Sequence, residues 1–353
     1  MGGAKAAWLE AQERGWSDVD KRVCSDCVED HHLKALIQDA ADTVECDYCG
    51  EVSENEIAAP VEAIMLAVMG ALTHYFAEPA GAGVPYESAE GGYLVQGTDT
   101  EDALLSLPLE CNDDLLQDIV SAISDQNDYW VEAADGHWAS EQKNRQLTHG
   151  WHRFAEHVKH RQRYFFAESA EDYGPDIEPS RLLPELGEVI RDLGLFREIK
   201  TDVILFRARL KTSEDSWDLD AANLGAPPPR KAAAGRMNPA GIPYLYVAME
   251  EETAIAEVAC ATPCTVAVGT FRPSRSLKVL DLIGLPAKPS MFDCERLRER
   301  ELGIFLGRFV EAISHPVTKD GAEHIDYVPS QIVCEYFAAV DQGETPLDGI
   351  LYP

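Results

Sequence analysis

One stretch of the chain, GRMNPAGIPYLYVAMEEETAIAEV at residues 235–258, joins an arginine, two tyrosines and a glutamate in a predicted strand and helix. Tyr244 and Tyr246 alternate onto one face of an extended segment, and Glu257 follows about one helix later. Arg236 lies just before them in a turn that contains glycine and proline. A planar cation, aromatic rings and a carboxylate could therefore line one cleft.

A second set of chemically competent residues consists of four cysteines. Cys24 and Cys27 stand in CSDC, and Cys46 and Cys49 stand in CDYC after 18 intervening residues. Each pair has the two-residue spacing of a knuckle that supplies two thiolates to a tetrahedral zinc ion. The pattern predicts a closed structural zinc site that folds a segment too small for a core of its own. The alternative is two chance pairs of buried thiols.

The elements that must position these residues change in character along the chain. Apolar residues at helical spacing predict helices at 58–76, 112–124, 138–168 and 180–195. After residue 200, β-branched and aromatic residues predict strands at 202–210, 242–248, 265–273, 277–282 and 347–353. The strands 265–273 and 277–282 are interpreted as a hairpin or as consecutive strands, and helices are predicted at 253–261, 294–314 and 329–340.

These patterns predict a multidomain chain. Residues 1–55 form a small four-cysteine, zinc-ribbon-like segment, residues 56–198 an all-α helical bundle, and residues 199–353 an α+β domain with a mixed sheet. A length of 353 residues agrees with this division, because a single core stops growing below that size.

Composition restricts the location and the partners of the chain. It is 45% hydrophobic and 26% charged, with neither an apolar run that could cross a bilayer nor a basic signal region. We therefore expect a soluble, cytoplasmic protein that does not bind membranes. The formal net charge of -32 makes nucleic acid an improbable partner, because the averaged field repels phosphates. Nine cysteines, an odd number, favour reduced thiols and metal ligation over disulfides.

The stretch from Arg145 to Arg163 is basic and rich in aromatic residues. Arg145 with His152, and Arg153 with His160, each place a histidine seven positions after an arginine. This spacing resembles the motif of HEPN helical-bundle ribonucleases, in which histidine does acid–base work and arginine holds a phosphate. Any helix crowded with arginine and histidine produces the same spacing, so a packed or solvated helix face is the favoured interpretation.

The C-terminal part of the chain resembles a known family. LFRARL, LGAPPP, the 235–258 stretch, DYVPSQIVCEYF and LDGILY, in this order, resemble the RES family, a toxin-like group related to ADP-ribosyltransferases. The resemblance covers about residues 200–353 and implies an ADP-ribosyltransferase-like mixed-sheet fold. VCSDCVED and CDYCG resemble the HEPN/RES-type N-terminal region of longer members, which makes the helical domain HEPN-like.

The resemblance implies destruction of NAD at its nicotinamide–ribose bond, with water or phosphate as the acceptor. Arg207 and Arg236 offer planar donor forks suited to a pyrophosphate. Tyr246, and less favourably Tyr244, could stack on the nicotinamide ring. Glu257 would stabilise the oxocarbenium-like charge and accept hydrogen bonds from ribose hydroxyls.

Each of these site residues also has an ordinary structural interpretation. Arg207 could pair with one of the 62 acids, and the two tyrosines could be strand aromatics. Glu257 follows apolar residues in AIAEVA, where an unpaired carboxylate would be costly, and this favours a functional role for it.

The family's named serine follows the Asp-Gly-Ile-x-Tyr strand, and the given sequence stops at Pro353, one residue earlier. We hypothesise a truncated form, because Ser330 in YVPSQ is better explained as a cap or first-turn residue of a helix.

Three classes of function remain open at this stage. The first is an NAD-degrading toxin or defence effector. The second is an ADP-ribosyltransferase that uses the same pocket on a macromolecule, and the third is a HEPN-type ribonuclease or binding bundle. The resemblance also implies an inhibitory antitoxin or self-association that restrains the enzyme.

Overall fold

The computed structural model describes residues 2–89, 91–164, 177–211, 218–258, 264–317, 321–339 and 347–353. Two units are distinguished by their internal packing. The first comprises Met1–Gln146 with Ala287–Ile304, and the second comprises Leu147–Pro286 with Phe305–Pro353. Within the described ranges, no helix is both long enough and apolar enough to cross a membrane.

The helices follow one another in chain order. They are α1 (Gly2–Arg14), α2 (His31–Asp39), α3 (Glu62–Tyr75), α4 (Thr100–Ser106), α5 (Asp113–Ser124), α6 (Lys143–His160), α7 (Pro179–Asp192), α8 (Ala221–Leu224), α9 (Glu251–Val258), α10 (Leu297–Ser314), α11 (Glu323–Asp326) and α12 (Val328–Ala339).

The strands are short and form several small sheets. They are β1 (Arg22–Cys24), β2 (Ala58–Pro60), β3 (Phe76–Ala77), β4 (Tyr86–Glu87), β5 (Gly92–Tyr93), β6 (Val131–Glu132), β7 (Phe196–Ile199), β8 (Leu205–Lys211), β9 (Thr265–Phe271), β10 (Leu277–Asp281) and β11 (Gly349–Leu351).

The core of the first unit surrounds α3. Seven residues of this helix are buried, as its nearly uniform apolar composition predicts. The α2 and α5 helices pack around this core, and each begins at a side-chain cap: Asp30 accepts from two backbone N–H groups of α2, and Asn112 does so for α5. The region is not purely helical as predicted, because β3 pairs with β6 and β4 pairs with β5.

The second unit combines small sheets with helices, which agrees with the predicted α+β class. β8 pairs with β9 along its whole length in antiparallel register. β10 lies between β7, which is antiparallel to it, and β11, which is parallel to it, and this three-stranded sheet is mixed as predicted. Of the two interpretations of 265–273 and 277–282, consecutive strands is confirmed and a hairpin is wrong, because β9 and β10 belong to different sheets.

The predicted strand at 242–248 is also wrong. This segment is extended, but its only ladder contact with β8 is one bridge, in which Phe206 and Ala248 exchange hydrogen bonds of 2.8 and 2.7 Å. The predicted alternation is nevertheless present, since Tyr244 and Tyr246 are half-buried whereas Leu245 is exposed. These two hydrogen bonds fix the register of the segment beside β8, but they are too few to make it a strand.

A buried carboxylate connects three segments of the first unit. Glu301 of α10 is 2% exposed and accepts hydrogen bonds from the Tyr75 hydroxyl (2.8 Å), the Asn144 backbone N–H (3.2 Å) and the Asn144 side-chain amide. A buried charge is tolerated only when it is hydrogen-bonded in this way. Residues 287–304 are therefore an integral part of the first unit.

We expect Glu301→Ala to lower the free energy of unfolding by about 2–4 kcal/mol, because it removes the acceptor that Glu301 provides to the Tyr75 hydroxyl and to the backbone N–H and side-chain amide of Asn144. Glu299→Ala is the matched control on the same helix. Glu299 forms an exposed ion pair with Arg296, and its loss should cost less than about 1 kcal/mol. Urea unfolding followed by circular dichroism measures the free energy of unfolding of both variants. Equal losses in the two would contradict a stabilising role for the hydrogen bonds of Glu301.

Candidate functional site

The turn that carries Arg236 is organised by one buried side chain. Asn238 is 3% exposed, and its Oδ1 accepts a hydrogen bond of 2.8 Å from the Tyr246 hydroxyl. Its Nδ2 lies 2.9–3.1 Å from three backbone carbonyl oxygens, those of Ala233, Pro239 and Ile242. Gly241 closes the turn at φ +89°, a conformation that glycine adopts without strain. Asn238 and Gly241 therefore shape the turn.

The first turn of α12 holds the same segment from another side. The Ser330 hydroxyl lies 2.5 Å from the carbonyl oxygen of Arg236 and 3.0 Å from that of Tyr327. The side-chain amide of Gln331 donates to the carbonyls of Gly235 (2.8 Å) and Asn238 (3.1 Å). Ser330 is thus a first-turn residue, as predicted, and it fixes the backbone of Arg236.

The Arg236 guanidinium reaches the C-terminal end of α10. Its Nη1 donates to the carbonyl oxygens of Ile313 (2.9 Å) and His315 (3.1 Å), which are carbonyls that a helix end leaves without intrahelical partners. Its Cζ lies 5.9 Å from the centre of the Tyr327 ring. In the described part of the chain, Nε and Nη2 of Arg236 meet no acceptor, so these donors could serve an anionic ligand.

Electrostatic effects link Arg236 to the other predicted residues. Burial raises the pKa of Tyr352, Glu257 and Tyr246 raise it further, and the Arg236 charge opposes them. Burial also raises the pKa of Tyr246, the Met237 N–H opposes this effect, and Glu257 adds a small rise. Tyr352 therefore lies within electrostatic range of Arg236, Tyr246 and Glu257, and Tyr246 lies within range of Glu257.

Tyr352 is the member of this group that sequence reasoning missed. It follows β11 in DGILYP, a segment that contributes to the family resemblance without suggesting a role for its tyrosine. The residue is partly exposed. The parallel pairing of β11 with β10 fixes its position, and no local sequence pattern encodes that pairing.

Glu257 is exposed at the C-terminal end of α9, and the structure does not enclose it in the apolar turn that AIAEVA suggests. Tyr244 is half-buried beside Tyr246, and burial is the main cause that raises its pKa to about 12. Both tyrosines therefore lie in the same segment as predicted, and Tyr246 is the one that bonds to the Arg236 turn.

Arg207 occupies a different environment on β8. Its Nη1 donates to the carbonyl oxygen of Gly225 (2.5 Å), and burial, followed by the Arg209 charge, lowers its pKa. Within the described ranges, none of the hydrogen bonds or charge effects that join Arg236, Tyr246 and Glu257 involves Arg207. Its role in ligand binding stays a prediction.

A cavity of about 180 Å³ opens beside Arg236. It is lined by residues of α6, the end of α10, the loop after it, α11 and α12, namely Trp151, Ala155, Lys159, Arg236, Ala312, Ile313, His315, Val317, Asp326, Tyr327, Pro329 and Ser330. This volume lies below the range of about 300–1,000 Å³ that is usual for ligand pockets. Neither Tyr246 nor Glu257 lines it, so it is not the predicted NAD cleft.

The four predicted cysteines lie together in the first unit. Their sulfur atoms are all within 4.8 Å of one another, and three pairs, Cys24 with Cys27, Cys24 with Cys49 and Cys27 with Cys46, are 3.5–3.7 Å apart. Four sulfurs at 2.3 Å from one zinc ion would be about 3.8 Å apart. This arrangement could hold zinc, and three of the four side chains are buried.

Local backbone structure supports this cluster. Burial raises the pKa of the Cys46 thiol, but the backbone N–H groups of Cys49, Tyr48 and Cys24 outweigh burial and lower it to about 7. Gly50 has φ +70° and donates to the Cys46 carbonyl, which gives the tight turn that CDYCG suggests. Thiolates are the form that binds a metal, and these N–H groups favour a thiolate at Cys46, whereas burial raises the pKa of the Cys24 and Cys27 thiols.

The basic stretch of α6 has the character of a partly solvated helix. Arg145 pairs with Glu132 at 3.1 Å, and His152, Arg153 and His160 are exposed. Apolar residues at helical spacing face the core, namely Leu147, Trp151, Phe154 and Val158. The helix is packed on one side and solvated on the other, which agrees with the favoured interpretation of a packed or solvated helix face.

Comparison with known proteins identifies two families in the chain. The family model described as HEPN/RES N-terminal domain 1 matches residues 39–172. The family model described as RES domain matches residues 204–353. Neither the curated proteins nor the solved structures provide a match.

We expect the purified chain to contain about one zinc ion and Cys24→Ser to lose it, because a four-thiolate site tolerates no missing ligand well. Metal analysis after gel filtration measures the content. Cys264→Ser is the control, since Cys264 is exposed and outside the cluster. Removal of zinc by a chelator should lower the melting temperature, and a metal-free chain with an unchanged melting temperature would contradict a structural zinc site.

Proposed function

Since the chain belongs to the RES family of NAD-related toxins and effectors and also carries a HEPN/RES N-terminal domain 1, we propose that it cleaves the nicotinamide–ribose bond of NAD. The observation that carries this proposal is the hydrogen-bonded turn that holds Arg236 beside Tyr246, with Arg236, Tyr246 and Glu257 all within electrostatic range of Tyr352. The ADP-ribosyltransferase-like character of the domain is part of the proposal.

In the proposed reaction, the bond between the ribose C1′ and the pyridine nitrogen breaks, and its electron pair leaves with nicotinamide. The pyridine nitrogen loses its positive charge, so this leaving group needs no general acid. Ribose is left with an oxocarbenium-like charge, and the Glu257 carboxylate stabilises it. An oxygen of water or phosphate then bonds to C1′, and a proton from a water acceptor passes to solvent.

The other residues of the site hold the substrate. Nε and Nη2 of Arg236 bind pyrophosphate oxygens, and the ring of Tyr246 stacks on the nicotinamide. Most of the rate then comes from positioning and charge stabilisation, for which a turn fixed by Asn238 and Ser330 is well suited. The activity must be restrained in its own cell, and we include an inhibitory partner in the proposal.

We expect Glu257→Gln to reduce NAD cleavage at least about a hundredfold, because it removes the charge that stabilises the transition state but keeps the size of the side chain. The measurement is nicotinamide release by liquid chromatography, with and without phosphate. Glu252→Gln is the matched control, since Glu252 is an exposed acid in the first turn of the same helix. Phosphate-dependent formation of ADP-ribose 1″-phosphate would identify phosphorolysis.

The assay is run both on the given chain and on a chain to which Ser is added after Pro353. Equal activity of Glu257→Gln and Glu252→Gln would contradict the assigned role. If neither chain releases nicotinamide, NAD cleavage by this site is refuted. Nicotinamide release that depends on an added protein, with ADP-ribose on that protein, would instead identify an ADP-ribosyltransferase.

A second prediction concerns the position of Arg236. Tyr246→Phe keeps the aromatic ring but removes the hydroxyl that bonds to Asn238 and accepts from the Met237 N–H at 3.0 Å. We expect the KM for NAD to rise about tenfold and the free energy of unfolding to fall by about 1–2 kcal/mol. Tyr244→Phe is the control. Steady-state kinetics measures the change, and identical KM values for the two variants would contradict a link between the turn and the binding of NAD.

A further inference from the structure

A group of three aromatic side chains in the first unit, two exposed and one half-buried, has no role in the proposed reaction. Tyr86 and Tyr93 lie opposite each other in the β4–β5 pair, with ring centres 5.2 Å apart and planes at 81°. The ring of Tyr129 is nearly parallel to that of Tyr93, at 6.2 Å and 22°. Tyr86 is 58% exposed and Tyr129 is 40% exposed. We call these three residues the tyrosine surface.

The tyrosine surface is held in place by the backbone around it. The Tyr129 hydroxyl accepts a hydrogen bond of 2.8 Å from the N–H of Gly97. A Cβ at Gly97 would lie 2.5 Å from Cζ of Tyr129, so glycine is required for this ring position. Tyr93 packs against a small apolar cluster of Ala82, Val84 and Val131. The rings are thus ordered although they face solvent, and an ordered ring is a better binding surface than a mobile one.

The surrounding sequence has an extreme charge distribution. Residues 35–142 contain no lysine or arginine and 23 aspartates and glutamates, so most of the net charge of -32 comes from this stretch. Three exposed acids are close in sequence to the tyrosine surface, namely Glu87, Asp99 and Asp128. Asp128 accepts from the Thr100 N–H, which is the main cause of its lowered pKa and keeps it ionised. The rings therefore lie in a region that attracts cations.

We propose that the tyrosine surface binds a cationic segment of a partner protein, with arginine or lysine side chains placed over the ring faces. Ring faces attract a cation within about 6 Å of their centres. Tyr86 and Tyr129 are 58% and 40% exposed, so their rings are accessible to such cations. The acidic surroundings favour a basic partner and repel nucleic acid. This interaction is independent of NAD cleavage and concerns a different unit of the chain.

The experiment measures binding of a fluorescent (Gly-Arg)₄ peptide to the full chain by anisotropy at about 150 mM salt, where distant charges are screened. A peptide with citrulline in place of arginine has nearly the same shape without the charge. We expect the arginine peptide to bind and the citrulline peptide to bind at least about tenfold more weakly. Equal binding of the two peptides would overturn the proposal.

Two double variants test the rings themselves. Tyr86→Leu with Tyr129→Leu keeps apolar side chains but removes the ring faces, and we expect binding about five- to thirtyfold weaker. Tyr86→Phe with Tyr129→Phe keeps the faces and should bind within about twofold of the parent chain. Tyr164→Leu, which alters an exposed tyrosine of the second unit, is the control.

The two double variants distinguish a loss of binding from a loss of folded structure. The Phe pair removes the Tyr129 bond to Gly97, so an unchanged affinity of this variant shows that the measurement tolerates minor loosening of the surface. Equal affinity of the Leu pair and the parent chain would overturn the proposal and assign the binding to general acidic charge. Weakening by the Phe pair as large as by the Leu pair would also overturn it, because the ring faces would then not be the binding element.

Discussion

The backbone turn around Asn238 imposes the constraint on which the candidate site depends. Its carbonyl groups require donors away from water, and one buried amide with the side chains of Ser330 and Gln331 supplies them. The turn tolerates no bulk, because a Cβ at Gly235 would lie 2.7 Å from Oδ1 of Asn238. This hydrogen-bond network fixes the positions of Arg236 and Tyr246. A change that loosens the network would therefore disturb several functional groups together.

The N-terminal segment of the first unit is stabilised by other interactions. This segment is short, and four cysteine sulfurs within 4.8 Å of one another hold β1 beside the loop that contains Cys46 and Cys49. A zinc ion bound there would contribute folding free energy where apolar burial is limited. Glu301 adds a polar connection to residues 287–304, although these belong to the stretch that matches the RES family. Family boundaries and packing boundaries therefore differ.

Most helices could be predicted from the sequence, because periodicity and capping are local properties. Local signals indicate individual helices: the apolar run of α3, the Asn112 cap of α5 and the position of Pro329 in the first turn of α12. Strand pairing could not be predicted in the same way. The residues 242–248 have strand composition but share only one bridge with β8, and the parallel pairing that positions Tyr352 links residues about 70 positions apart.

The candidate site was predicted as far as residue type and spacing allow. The types at Arg236, Tyr246 and Glu257 fit the recognition of NAD that the family resemblance implies, but the exposure of each side chain decides how it acts, and exposure depends on elements distant in sequence. Glu257 shows this, because its apolar neighbours in sequence suggest burial while its position at the end of α9 exposes it. The tyrosine surface was missed because its three rings come from two segments separated by about 35 residues.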